Sequence, residues 1–184
     1  MALESELEDA FDETMNGTAS VSDFIACSLK CVKEHNKPES LAYGFALYST
    51  KLIINYLQIG DFGIAKKLFH NYVDLLLPRA GMHEKTSDVA SNALVLGIHA
   101  KDQEVCNKIF GKLLGGDDYD VTQINNEILL FNISCYFAIH EDKAALLPAV
   151  KQALKRGKRA SEFMHDDDFS QYHEDEDFLE VLKE

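Results

Sequence analysis

Apolar positions recur at helical spacing in paired segments, most clearly over residues 51–78. Leu52, Ile53, Tyr56 and Leu57 form one stripe, Ile64, Ala65, Leu68, Phe69, Tyr72 and Val73 form a second, and Gly60-Asp61 separates them. The glycine can end the first helix in a left-handed conformation. The aspartate can cap the second by accepting from its free amides. The stretch therefore reads as a hairpin of two helices whose apolar faces meet.

This hairpin repeats. Asp102 lies 41 residues beyond Asp61 and Asp142 lies 40 beyond Asp102, and the flanking residues keep register. Nine before each acid stand Leu52, Ala93 and Ile133; five before, Tyr56, Gly97 and Phe137; four after, Ala65, Cys106 and Leu146; eight after, Phe69, Phe110 and Val150. A period near 40 built from helix pairs marks a helical solenoid, in which each hairpin buries its face on its neighbours. Of the aromatic set, Tyr56, Phe69, Phe110 and Phe137 are expected in the core.

Upstream, residues 3–14 predict an acidic helix with Leu3, Leu7, Ala10 and Phe11 on one side, and residues 22–35 a second helix. Together they make an N-terminal cap over 1–38, ended by Lys37-Pro38-Glu39-Ser40. Three hairpins fill 39–157, the later ones from helices near 86–100 with 102–114 and 121–139 with 142–156. A bend is expected at Pro148, beyond the tolerated first turn. Gly157 stops the last helix. Short helices over 158–184 then bury Phe163, Phe169, Phe178 and Leu182 as a C-terminal cap. The expectation is one all-α domain, 1–184.

Leu52, Tyr56, Gly60-Asp61-Phe62, Ala65 and Phe69 fall where the tetratricopeptide-repeat signature places Leu, Tyr, Gly-Asp-Tyr, Ala and Phe. From about Ser40 onward the chain resembles that superfamily, and its end, with Asp168-Phe169 and Asp177-Phe178, resembles the closing segment of bacterial repeat arrays. The resemblance implies a short right-handed α-solenoid, capped at both ends, used for protein binding. It also implies a concave groove lined by the first helix of each hairpin. Ten residues before the corner acids stand Lys51, Asn92 and Asn132, which with His99 are the groove candidates. Members of the superfamily use such asparagines to hold a partner's main chain.

A chain of 184 residues with Gly 10, Pro 3 and no Trp suits a single helical domain. Its net charge of −13 is concentrated at the ends: residues 1–14 carry six acids and no base, and 162–184 carry ten acids and one base, Lys183. The remainder is nearly neutral, with 15 acids and 17 bases. Such a distribution argues against nucleic-acid binding, which needs Lys and Arg along the phosphates. It suits attraction of a basic partner, with Asp166, Asp167, Asp168, Glu174 and Asp175 as the acidic-pole candidates. No run approaches the ~20 apolar residues of a membrane span. The start lacks the pattern of a signal peptide, and Cys27, Cys31, Cys106 and Cys135 sit in apolar helical patterns, so reduced thiols in a cytoplasmic protein are expected.

Cys27 and Cys31 have no companion pair at metal-ligand spacing and read as ordinary buried thiols. The segment HDDDFSQYHEDED is rich in oxygen ligands but lacks the glycine and alternation of a calcium-binding loop. No phosphate loop, nucleophile elbow or His-Glu-x-x-His helix occurs. No metal or cofactor is thus implied, and the chain is expected not to be an enzyme. The leading expectation is a non-catalytic interaction module that binds a basic protein, for example an immunity protein neutralising a nuclease toxin. The alternatives are an adaptor or chaperone-like module gripping a peptide in its groove, and an enzyme whose site is assembled from distant residues.

Overall fold

The computed structural model describes residues 2–183, with the backbone alone for Ala2 and Asp117; Glu184 of the acidic end lies outside the described residues. Helices account for all the regular structure among them, and no strand occurs. By contact density the chain divides into a first unit, 1–113, and a second, 114–184.

In the first unit, α1 (Ala2–Met15) pairs with α2 (Val21–Glu34). Ser20 begins α2 with a reciprocal capping box: its amide donates to Asp23 Oδ2 at 2.8 Å, and the Asp23 amide donates to Ser20 Oγ at 3.3 Å. A 3-10 turn, Pro38–Leu41, leads into α3 (Ala42–Gln58). Next comes α4 (Phe62–His70), prolonged by a π turn, Asn71–Leu76, and by α5 (Leu77–Ala80). In that wide turn the Leu77 amide reaches back to the Tyr72 carbonyl, directly before Pro78, which has no amide to continue an ordinary ladder. Then follow α6 (Thr86–His99) and α7 (Gln103–Lys108), the latter also running into a π turn, Ile109–Leu113. Phe24, Phe45, Leu52, Ile53, Phe69 and Leu94 are fully buried in this unit's core.

The second unit opens with two 3-10 turns, Gly116–Asp118 and Val121–Gln123, so the helix expected over 121–139 begins later. Asn126 starts α8 (Glu127–Ile139) by accepting the Leu129 amide at 2.9 Å. Its partner α9 (Lys143–Lys155) contains Pro148 within one helix. After Gly157, at φ +111°, come α10 (Ala160–His165), a 3-10 turn, Asp167–Tyr172, and α11 (Glu176–Val181). Phe163, Phe169 and Phe178 are fully buried as expected, whereas Leu182 is half-buried.

The three corners share one geometry. Asp61, Asp102 and Asp142 accept the amides of Ile64, Val105 and Ala145 at 3.0, 3.3 and 3.1 Å. Their own amides donate to the carbonyls of Tyr56, Gly97 and Phe137 at 2.9, 2.9 and 3.0 Å. The residue before each acid is left-handed: Gly60 at φ +77°, Lys101 at +53° and Glu141 at +57°. Only the glycine adopts that conformation without a Cβ penalty. In register with these corners, Leu52, Ala93, Ile133, Ala65, Cys106 and Leu146 are all buried. Phe69 is too, but Tyr56, Phe110 and Phe137 are only half-buried. Tyr56 and Phe137 lie in the final turn before a corner, at the flank of the buried stripe. Ile109 takes the core position next to Phe110 at the start of the π turn.

Two outcomes follow from this geometry. Lys101→Gly and Glu141→Gly should each stabilise the fold by ~1 kcal/mol through relief of the left-handed backbone, read as a higher urea midpoint at unchanged m. An unchanged or lowered midpoint for both would contradict the corner assignment. A Cβ at Gly97 would sit 2.5 Å from Cys106 Sγ. Gly97→Ala should therefore cost ~1–3 kcal/mol by overpacking, despite a helix-propensity gain of ~1 kcal/mol, and the cost should shrink in a Cys106→Ala background. Equal costs in both backgrounds would mean that the sulfur does not set the α6–α7 spacing.

Candidate metal centre

The centre lies wholly in the second unit and is built by aromatic packing. On α8, Phe131 and Cys135 are one turn apart and share a face. Phe131 packs against Phe163 and Phe169 at ring-centroid distances of 5.0 and 5.7 Å, and those two rings meet edge-on at 5.2 Å. Lys158 places its ammonium 4.4 Å from the Phe131 centroid. The His173 imidazole Nε2 lies 3.1 Å from the Phe163 carbonyl oxygen. Burying Phe163 and Phe169 on either side fixes the intervening stretch, which carries Asp166, Asp167 and Asp168.

Asp166 caps the 3-10 turn by accepting the Asp168 amide at 2.9 Å, an orientation that holds its carboxylate in place. As a result Cys135 Sγ and one carboxylate oxygen each from Asp166 and Asp168 all lie within 4.8 Å of one another. Cys135 is 5% exposed and both aspartates are half-buried. Burial pushes the Cys135 thiol well above its ordinary value, and the Asp166 and Asp168 charges and the hydrogen bond to Asp168 push it further. Without a cation the thiol keeps its proton. Thiolate and carboxylates around a zinc-sized ion stand ~3–4 Å apart, given bond lengths of ~2.0–2.3 Å, so the three groups need only a small inward adjustment to share one.

This cluster overturns the expectation of a chain without enzymatic chemistry: a thiol and two carboxylates able to coordinate a metal ion form a candidate catalytic site. Asp166 and Asp168 stand 31 and 33 residues after Cys135, and no local motif announces the three together. Asp166 and Asp168 belong to the predicted acidic pole, and the fold places a carboxylate oxygen of each within 4.8 Å of Cys135 Sγ. Of the other predicted acids, Asp175 caps α11 by accepting the Phe178 amide at 3.0 Å and pairs with Lys143 at 2.6 Å. Asp167 and Glu174 are exposed.

Among the groove candidates, Asn92 and His99 line one cavity of ≈440 Å³ in the first unit, together with Ile54, Leu57, Phe62 and Val95. Asn92 donates its Nδ2 to the Asp88 carbonyl at 2.8 Å. Lys51 is exposed, with its ammonium 5.5 Å from the centroid of the Phe11 ring. Asn132 is half-buried on α8, in the other unit. Cys27 and Cys31 point their sulfurs at the Glu6 and Leu3 carbonyls, both at 3.5 Å, and burial raises both thiols, Cys31 to about 12. No helix among the described residues is long and apolar enough to cross a membrane. Compared with known proteins, the chain matches no family model, no curated protein and no solved structure.

Proposed function

We propose that the second unit holds a divalent transition metal through Cys135, Asp166 and Asp168, and that the chain is an enzyme whose reactive centre is assembled around that ion. The observation that carries this reading is the convergence of three ligand atoms within 4.8 Å around a buried thiol. Three protein ligands are the number found at catalytic zinc sites, where a fourth position is kept for water or substrate; structural sites use four. A sulfur ligand favours Zn²⁺ or Co²⁺ over Mg²⁺ and Ca²⁺, which prefer oxygen alone. An ion of this kind supplies an activated water near neutral pH, so the reaction class is hydrolysis or hydration.

Titration with Co²⁺ tests this, because a cobalt–thiolate bond gives a charge-transfer band that carboxylates alone do not. One equivalent should bind, and Cys135→Ser should abolish the band. Asp166→Asn, which keeps the turn cap, and Asp168→Asn should each weaken binding at least ~10-fold. Since the raised thiol must lose its proton, apparent affinity should rise with pH, by up to ~10-fold per unit while the thiol stays protonated in the free protein. Binding that is absent, or indifferent to Cys135→Ser, would end the proposal.

A second reading concerns the first unit and is favoured by its cavity. The repeated corner supports reading the helix pairs as tetratricopeptide-type hairpins of a short solenoid, with Asn92 and His99 in a groove that takes an extended peptide. The cavity is of ligand-binding size, and Phe62, 40% exposed, gives it an apolar wall. Attraction of a basic protein partner rests on the charge of −13 and on exposed Asp167 and Glu174. Peptides selected from a random library should perturb the Asn92 and His99 resonances and lose binding with Asn92→Ala. A selection whose binders all map outside this cavity would refute the groove.

A further inference from the structure

A second cavity in the first unit, ≈230 Å³, is walled by α2 on one side and by the π turn Asn71–Leu76 with α5 on the other. Leu29 and Val32 line it from α2, and Leu75 and Pro78 from across, so most of the wall is apolar. Each side adds one base, Lys33 and Arg79, both exposed. Asp74 is the one acid among the lining residues.

Three observations give this cleft a preference for an anion with an apolar body. The first is charge. With 31 acids against 18 bases the chain has acids to spare, and Lys66, Lys85, Lys108 and Lys112 each reach one at 2.6–3.1 Å. The side chains of Lys33 and Arg79 make no ion pair or hydrogen bond among the described residues, and Asp74 is already taken by Lys108 and Lys112 at 2.6 and 2.8 Å. The cleft is thus left with two uncompensated positive charges. The second observation is shape. Asp74 and Leu75 stand in the π turn, a widened turn that interrupts the regular ladder and recurs at functional sites. There Leu75 is 46% exposed, although Val73 and Leu76 beside it are buried. The third is helix polarity. Lys33 lies in the last turn of α2 and Arg79 in that of α5. Helix C-termini carry partial negative charge, whereas phosphate sites are built on N-terminal amides. Two bases set at C-termini therefore suit a single carboxylate better than a phosphate, with the Arg79 fork able to hold both oxygens and Lys33 adding a point charge.

We infer that the cleft lined by Lys33, Leu75, Pro78 and Arg79 binds a small organic acid. Its carboxylate sits on the two bases, and its compact apolar body lies against Leu29, Val32 and Leu75. The site draws on no residue of the metal centre or of the groove beside Asn92 and His99.

Amide NMR of the full chain tests this with 3-phenylpropanoate, its uncharged analogue 3-phenylpropanamide, and inorganic phosphate as probes. The acid should shift the Leu29, Lys33, Leu75 and Arg79 amides saturably. The uncharged analogue should bind at least about tenfold more weakly, and phosphate should give no saturable shift. Arg79→Gln should weaken binding about tenfold and Lys33→Gln about three- to tenfold. Both side chains are exposed and unpaired among the described residues, so neither change should move the unfolding midpoint, which separates lost binding from lost fold. Leu75→Ala should weaken the acid without altering its salt dependence, whereas the two base substitutions should flatten that dependence. Absence of saturable shifts, equal binding of the uncharged analogue, or full binding by the double variant Lys33→Gln, Arg79→Gln would overturn the inference. Phosphate binding as tightly as the acid would overturn it too, by assigning the cleft to anions in general.

Discussion

The free amides at the start of a helix must find an acceptor, and in this chain an aspartate supplies it at each of the three repeated corners. Asp61, Asp102 and Asp142 each accept an amide three residues on, directly after a left-handed residue that turns the chain. The same corner closes a long bond from the acid's amide back to the carbonyl five residues earlier. Because both ends of the turn are fixed, the entry angle of the second helix is fixed. The positions nine before and four after the acid are buried in all three hairpins. Two corners keep this arrangement on Lys101 and Glu141, at a conformational cost that Gly60 avoids.

Side chains near the corners extend their effect in the first unit. Asp102, besides capping α7, pairs with Lys66 at 2.6 Å, which ties α4 to α7, and the Lys66 contact holds its carboxyl below the ordinary range. Lys108 and Lys112 reach Asp74 at 2.6 and 2.8 Å between the two π turns. Three bases of the first unit, Lys66, Lys108 and Lys112, are thereby engaged in internal pairs. Such pairs at the surface add little stability one by one, but they fix the mutual placement of helices whose apolar faces are interchangeable in kind.

In the second unit the organising contact is apolar. Phe163 and Phe169 bury against Phe131, which fixes the backbone between them and brings Asp166 and Asp168 beside Cys135. Two acids are thus held against a thiol that burial already keeps protonated. Collecting such groups in a partly buried place is unfavourable unless a proton or a cation is shared among them. That balance makes the cluster a candidate for a metal ion, and it arises from packing around the acids rather than from the acids themselves.

Periodicity alone was enough to place the helices, the three corners and most of the buried positions, because helix pairing and aspartate capping are local and leave a regular signature. Where tertiary context overrode it, the causes are specific: Pro78 with its π turn, the 3-10 turns that delay α8 to Glu127, and the half-burial of Tyr56, Phe110 and Phe137. The register had joined Asn92 with Lys51 and Asn132, whereas Asn92 and His99 line one cavity because they lie on one helix and share its face. The candidate metal centre was out of reach of the same reasoning. Cys135 looked like any core thiol, and Asp166 and Asp168 like part of a solvated acidic run. Only the folding of the terminal segment back onto α8 brings the three ligand atoms together, because the distance between residues 31 positions apart is decided by packing and leaves no spacing rule in the chain.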